Sequence, residues 1–362
     1  MRIFTTSLFL ALLAGTAQAQ TPSQAMVQLP MHVGGRAVPD MDGKGLYSQW
    51  PGMYYEARFN GTAVTIRLND AVNRIKIYID GKLADEEQKP GDGDIELGPL
   101  PAGEHTVRLE KVSESQGDAM ADFPGFFVTS AAAVLPAPPA RARQIEFIGD
   151  SYTVGYGNTA GKRACTGDEI WATTDTQQGF GALTAKHYAA EYQINAVSGR
   201  GIVRNYNGGG GDHLPTVYPY VLFDKLITYQ DTAWQPQIIV IGLGTNDFST
   251  PLNPGEPWAN RDALHKDYEA TYVAFVKGIR AKNPNAAFIL MATDQADGEI
   301  QSEVKKVVAA VKAAGDSRID FVPMNGLTFG GCDWHPTTAD DKAVSATLTA
   351  YIDGHPELWQ NK

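Results

Sequence analysis

Between residues 28 and 130 the chain alternates apolar and polar positions in short runs. Tyr54 to Phe59, Ala63 to Leu68 and Arg74 to Ile79 each send every second side chain to one face, the period of a half-buried strand. Asn60-Gly61 and Asp80-Gly81 stand beside these runs and predict tight hairpins. Further runs at Ile95 to Leu97, His105 to Lys111 and Phe126 to Val134 complete the strands of a small antiparallel sandwich, a jelly roll. No helical period is visible in this stretch.

Leu135 to Arg141 holds three prolines, which fix φ and favour an extended, stiff linker. Beyond it the pattern changes. Five apolar runs fit buried strands: Ile145 to Ile148, Gln193 to Val197, Ile238 to Leu243, Ala287 to Ala292 and Ile319 to Pro323. Helical patterns lie between them. Leu264, Tyr268, Tyr272, Phe275 and Ile279 make one stripe that stops at Asn283-Pro284; Ile300, Val304, Val307, Val308 and Val311 make another, ending before Gly315. Phe180 to Tyr192 and Ala339 to Ile352 are further helix candidates. Strands alternating with helices predict a parallel sheet covered on both faces, a three-layer α/β/α domain. The expected organisation is a sandwich over residues 20–134, a linker over 135–143 and the α/β domain over 144–362.

The N-terminus adds a cellular context. Arg2, the apolar stretch Leu8 to Leu13 and Ala17-Gln18-Ala19 have the order of a secretory signal over residues 1–19, so the mature chain should start at Gln20 in the periplasm or outside the cell. No run is long enough to span a bilayer, so no membrane is expected as a partner of the mature chain. A formal net charge of -11 and the lack of a basic stripe argue against nucleic acid. The chain's two cysteines, Cys165 and Cys332, would meet an oxidising compartment, so a disulfide is the first expectation and two buried thiols the alternative. Neither has metal-ligand spacing, and no metal or cofactor is expected. The glycine run 208–211 lacks the strand before it and the Lys-Ser or Lys-Thr after it that a phosphate cradle needs, and is read as a loop.

The chemistry gathers at strand ends. Gly149-Asp150-Ser151 follows the first buried run, Ser198-Gly199 the second and Gly244-Thr245-Asn246-Asp247 the third; Asp333-Trp334-His335-Pro336 lies beyond the fifth. Parallel strands release their C-terminal ends along one edge, so these blocks can converge. Taken alone, Asp150 and Ser151 would only cap a helix. Together the blocks suit acyl transfer: Ser151 attacks a carbonyl, His335 takes its proton, and the Ser151 N–H, the Gly199 N–H and the Asn246 side chain stabilise the oxyanion. A Gly-x-Ser-x-Gly elbow is missing around Ser151, and Ala160 breaks a dinucleotide-binding glycine pattern.

Gly149-Asp150-Ser151, Gly199, Gly244 to Asp247 and His335-Pro336 resemble, in order, the four blocks of the SGNH (GDSL-like) hydrolases. That resemblance implies a flavodoxin-like sheet and the roles just given. Within the superfamily the layout is similar to carbohydrate esterase family 2, whose members carry an N-terminal jelly roll; Gln49-Trp50-Pro51-Gly52, Ser198-Gly199-Arg200-Gly201 and Cys332 to Pro336 resemble it too. The resemblance implies removal of O-acetyl groups, with a preference for the 6-position of hexopyranosides and activity on acetylated xylan or mannan. One departure matters: the superfamily usually has an aspartate three residues before the histidine, where this chain has Cys332, and Asp333 is only two before. The arrangement is then either a Ser-His-Asp triad using Asp333 or a Ser-His dyad with a backbone carbonyl orienting the ring. In this layout a Cys165–Cys332 bridge would tie the loops of nucleophile and base together. Trp258 and Trp334 are candidates for stacking on a sugar, and His213 is expected at the surface. Other esterases (arylesterase, lipase, thioesterase) and a non-catalytic carbohydrate-binding protein are the alternatives.

Overall fold

A computed structural model describes residues 26–115, 117 and 119–360, so the signal sequence expected over 1–19 lies outside the described residues. The first domain is built from β1 (Val27–Gln28), β2 (Met31–Gly34), β3 (Ala37–Pro39), β4 (Leu46–Ser48), β5 (Tyr54–Gly61), β6 (Val64–Asp70), β7 (Arg74–Ile79), β8 (Lys82–Gln88), β9 (Gly91–Leu97), β10 (Gly103–Lys111) and β11 (Ala121–Val128). One sheet has the order β3-β4-β11-β6-β9, with β1 also on β11, and the other β2-β5-β10-β7-β8. Apart from the β3-β4 and β7-β8 hairpins, successive strands therefore alternate between the sheets, which is jelly-roll connectivity. The alternating apolar side chains of both sheets, including Tyr55, Phe59, Ile66, Ile77 and Phe126, close the core between them.

The two Asx-Gly pairs behave differently. Asp80 and Gly81 take φ of 51° and 74°, and Ile79 pairs with Lys82 across them in a two-residue hairpin. Asn60-Gly61 makes no hairpin: Gly61 is still paired with Gly103, neither residue is left-handed, and the chain passes from one sheet to the other. The run to Val134 is also shorter as a strand, since β11 ends at Val128 and residues 131–133 form a helical turn. β8 has no apolar alternation because it is an exposed edge strand, KLADEEQ, whose charges protect an unpaired edge.

The second domain holds β12 (Gln144–Gly149), β13 (Glu191–Ala196), β14 (Ile238–Gly242), β15 (Ala287–Thr293) and β16 (Ile319–Met324), all parallel in the order β13-β12-β14-β15-β16. Between and after them come α1 (Ser151–Val154), α2 (Gly167–Thr173), α3 (Phe180–His187), α4 (Leu214–Val217), α5 (Thr245–Phe248), α6 (Arg261–Lys282), α7 (Glu299–Ala313) and α8 (Thr338–Asp353). Buried residues of α6 and α7 pack with Ile239, Ile241 and Leu290 on one face of the sheet; those of α3 and α8 pack with Phe147, Val240 and Ile289 on the other. This is the flavodoxin-like three-layer order. Val276, rather than Phe275, is the fully buried member of the α6 stripe. The helix expected to reach Tyr192 stops at His187, where Ala189 turns left-handed and the chain enters β13 at Glu191.

Polar contacts weld the domains together. Glu191 of β13 accepts from His32 Nε2 at 2.9 Å, from the Arg141 N–H at 2.8 Å and from Tyr54 Oη. Burial alone would raise its pKa, but these hydrogen bonds outweigh it and hold the carboxyl at about 2. Arg141 also pairs with Glu56 at 2.7 Å, so the proline-rich segment is pinned to both domains. A depressed carboxyl contributes stability that is complete above its unfolded pKa near 4.5 and is lost as pH falls toward 2. Glu191→Ala is therefore expected to cost about 3 kcal/mol at pH 7, because its buried partners lose their acceptor. Thermal unfolding with an unchanged midpoint would show that the network does not hold the domains.

Candidate active site

The sheet order reverses between β12 and β14, and the crevice outside the C-terminal ends at such a point is where ligands bind in open α/β sheets. Ser151 opens α1 directly after β12. Asp150 caps that helix, its carboxylate accepting the Tyr152 N–H at 3.1 Å. Gly149 must be glycine, since a Cβ there would lie 1.9 Å from Thr153 Oγ1. The capping role read for Asp150 is thus real, and it aims the next residue into the crevice.

Ser151 Oγ lies 2.8 Å from His335 Nε2, across 184 residues of chain. The other ring nitrogen, Nδ1, lies 2.8 Å from the carbonyl oxygen of Cys332. A carbonyl only accepts, so Nδ1 carries the proton and Nε2 presents its lone pair to the serine hydroxyl. Asp333 does not reach the ring nitrogen. Its carboxylate accepts from Tyr156 Oη at 3.2 Å at the exposed side of the loop. Asp333 and Trp334 both have positive φ, 49° and 63°, a conformation costly for non-glycine residues and concentrated here on the two residues between Cys332 and His335. Tyr152 and Tyr156 flank the imidazole with ring centroids at 5.3 and 4.2 Å. The resulting desolvation lowers the His335 pKa below its ordinary value, against the opposing pull of the Cys332 carbonyl and the Asp333 charge.

Gly199 and Asn246 reach the same cavity, of about 570 Å³, from the ends of β13 and β14. Gly199 has φ +79° with open space where a side chain would be. The Asn246 amide donates to the Arg200 carbonyl at 2.9 Å and to Asp150 at 3.2 Å, so an oxyanion there would compete with the longer bond. Burial pushes the Asp150 carboxyl up to about 7. Asp247, beside Asn246, is raised to about 6 by burial, although it accepts the N–H groups of Ile202, Val203 and Arg204.

The other sequence candidates divide. Trp334 lines the cavity, 61% exposed, with the Arg163 guanidinium 3.6 Å above its ring. Trp258 does not: it lines a separate cavity beside the glycine run and His213, donates to Asp267 at 2.9 Å and packs on the core of the α/β domain. Tyr152, Tyr156, Tyr206 and Gln295 line the site without having been singled out. Tyr152 lies on the helical turn that presents the serine and Tyr156 in the turn just after it, one and five residues on, a spacing that could have flagged them. Cys165 and Cys332 are disulfide-bonded. No cluster able to hold a metal occurs among the described residues.

Comparison with known proteins shows the family. The carbohydrate esterase 2 N-terminal family matches residues 33–138, and the GDSL-like lipase/acylhydrolase family matches residues 147–356. An acetylxylan esterase/glucomannan deacetylase of Cellvibrio japonicus (strain Ueda107) is 45% identical over 335 residues, 91% of this chain and 92% of that protein. The chain belongs to carbohydrate esterase family 2. A solved carbohydrate esterase, described for the divergent catalytic and non-catalytic binding functions of its active site, matches this family 2 esterase with a TM-score of 0.88 at 43% identity, covering 92% of this chain and 100% of the other. A family two carbohydrate esterase from Clostridium thermocellum, solved in complex with cellohexaose, matches with a TM-score of 0.80 at 27% identity, covering 91% and 100%. The family 2 esterase is a carboxylic ester hydrolase, with an N-terminal β-sandwich and an α/β domain of the SGNH type.

The disulfide joins the loop that follows the serine to the residue whose carbonyl holds the histidine. Around it, the Asp333 N–H donates to the Arg163 carbonyl at 2.7 Å and Arg163 Nε to the Phe329 carbonyl at 2.8 Å. Reduction is expected to lower esterase activity before it unfolds the sheet. Parallel titrations of activity and far-UV circular dichroism with reductant check this, and signals that fall together would contradict it.

Proposed function

We propose that this family 2 esterase removes O-acetyl groups from acetylated saccharides, the 6-O-acetyl of hexopyranosides or plant polysaccharides such as acetylated xylan and glucomannan, through a Ser151 acyl-enzyme and a Ser-His dyad. The observation that carries the reading is the unbroken chain of hydrogen bonds from Ser151 Oγ through His335 to the Cys332 carbonyl. The reaction begins when Ser151 Oγ attacks the acetyl carbon and passes its proton to Nε2. The oxyanion is met by the Gly199 N–H, the Ser151 N–H and the Asn246 amide, which gives up its 3.2 Å bond to Asp150. His335 then returns the proton to the departing sugar oxygen. A water, deprotonated by the same nitrogen, releases acetate. Trp334 and Tyr206, 61% and 58% exposed at the rim, offer flat apolar faces suited to a sugar ring. The relatives' names support the acetylated-polysaccharide substrate, and the N-terminal signal pattern supports export.

Release of acetate from a 6-O-acetylated hexoside is expected to exceed hydrolysis of an octanoyl ester, and Ser151→Ala to lower kcat by about ten-thousand-fold or more. A Ser151→Ala variant as active as the parent would remove the enzymatic reading.

The dyad has its own test. Because His335 works as a neutral base with a lowered pKa, kcat/KM should fall on an acid limb lying below pH 6.5, the ordinary histidine value. The Asp333 charge raises that pKa, so Asp333→Asn should move the limb to lower pH while costing no more than about tenfold in kcat. A loss of about ten-thousand-fold, as when a triad aspartate is disabled, would replace the dyad by a triad.

A further inference from the structure

The loop that carries Gly199 is held from both ends, and one of the holds comes from the other domain. At its far end the Asp247 carboxylate accepts three successive N–H groups, of Ile202, Val203 and Arg204, at 2.9 to 3.0 Å. At its near end the Ser198 N–H donates to Glu114 Oε1 at 2.7 Å. Glu114 belongs to the β-sandwich, just beyond β10.

Its backbone is rigidly placed. Ser113 and Ser115, on either side, are buried, and both hydroxyls donate to Asn73 Oδ1, at 3.1 and 2.8 Å. The buried Lys111 ammonium donates to Ser115 Oγ at 2.7 Å and to the Gln49 carbonyl at 2.8 Å. The Val112 carbonyl accepts the Thr176 N–H of the α/β domain at 2.9 Å. Glu114 is therefore presented to Ser198 from a fixed platform that is itself attached to the hydrolase.

The contact falls at a sensitive place. The Arg200 N–H donates to the Val197 carbonyl at 3.2 Å, closing a four-residue turn with Ser198 and Gly199 at its centre. With φ +79° at Gly199, this is the third position of a type II turn. Type I and type II turns differ by a flip of the central peptide, which here is the peptide that carries the Gly199 N–H. One turn aims that donor at the oxyanion position and the other turns it away. A carboxylate would gain nothing by approaching the oxyanion itself, whose charge it shares, so its use here is as an acceptor for a backbone N–H.

We infer that Glu114 is a positioning residue of the hydrolase, supplied by the β-sandwich, which holds the Val197–Arg200 turn so that the Gly199 N–H faces the oxyanion. The inference rests on the reading of Gly199 as an oxyanion donor. It makes the sandwich part of the catalytic apparatus rather than only a sugar-binding or buttressing module.

The test uses the full chain, 4-nitrophenyl acetate and the variants Glu114→Ala and Glu114→Gln, with thermal midpoints measured alongside. Glu114→Ala is expected to lower kcat about tenfold to a hundredfold, short of the hundred- to thousand-fold loss from removing an oxyanion donor outright, with KM within about twofold. Glu114→Gln, which keeps an acceptor oxygen, should recover most of kcat. Glu114→Met fills the same space without an acceptor and takes the place of the alanine variant if that one does not fold. Wild-type kcat in the acceptor-free variants would overturn the inference. So would equal losses in the glutamine and alanine variants, or a rise in KM at unchanged kcat, which would mark a charge effect or a substrate contact instead. Ser151→Ala, run in parallel, separates the two failures: if it too retains activity, the acyl-enzyme reading itself has failed.

Discussion

The hydrogen bond from His335 Nδ1 to the Cys332 carbonyl is the constraint on which this site depends. It selects the tautomer that leaves Nε2 free to accept from Ser151, and it does so with a backbone group that never ionises. A carboxylate in that place would raise the histidine pKa strongly; a carbonyl raises it less, and the desolvation by Tyr152 and Tyr156 prevails. The neutral form of the imidazole is thereby favoured. The cost is backbone strain, two non-glycine residues with positive φ between the carbonyl and the ring, and the disulfide and Arg163 contacts hold the strained loop in place.

The parallel sheet does the rest of the assembly. Its strands bring Ser151, Gly199 and Asn246 out at one edge, on either side of the point where strand order reverses. Each is delivered by local rules: an aspartate cap beneath the serine, a left-handed glycine in the turn after β13, and a short helix after β14. Buried carboxylates serve as structural acceptors throughout. Asp150 caps α1 and Asp247 gathers three amides, each in surroundings dry enough to raise its pKa.

The domain junction joins apolar packing, with Trp50 and Tyr54 of the sandwich buried in the α/β core and Val38 against Val221 and Leu222, to a polar network. Glu191 accepts from His32, Tyr54 and Arg141, and Arg141 pairs in turn with Glu56, in a network that an isolated sandwich or hydrolase domain would leave open. Removing Glu191 takes the acceptor from His32 and Tyr54, so the network favours a single relative placement. That placement also brings Glu114 within 2.7 Å of the Ser198 N–H across the junction.

Much of this was legible in the chain itself. β14 and β15 are near-continuous apolar runs because they are buried on both faces, whereas β12 and β13 also carry the buried polar Glu146, Gln193 and Asn195. The four motif blocks lie at strand ends, where chain order alone implies convergence. Ser151, Gly199, Asn246 and His335 could therefore be expected to converge, and they line one cavity, while the two cysteines could be expected to pair and do. Other features were decided only by the fold. Asn60-Gly61 has hairpin chemistry but crosses between sheets, since pairing partners are chosen by the whole sandwich; β8 lacks alternation because it is an edge. Trp258 faces a neighbouring cavity because α6 draws its indole to Asp267. The choice between Asp333 and a carbonyl as the partner of His335 turned on a spacing of one residue, which fixes a sequence separation but not the direction in which a strained loop points its groups. Glu114 lay beyond any local pattern, because its contact joins residues 84 apart in different domains and is defined by the docking of two surfaces.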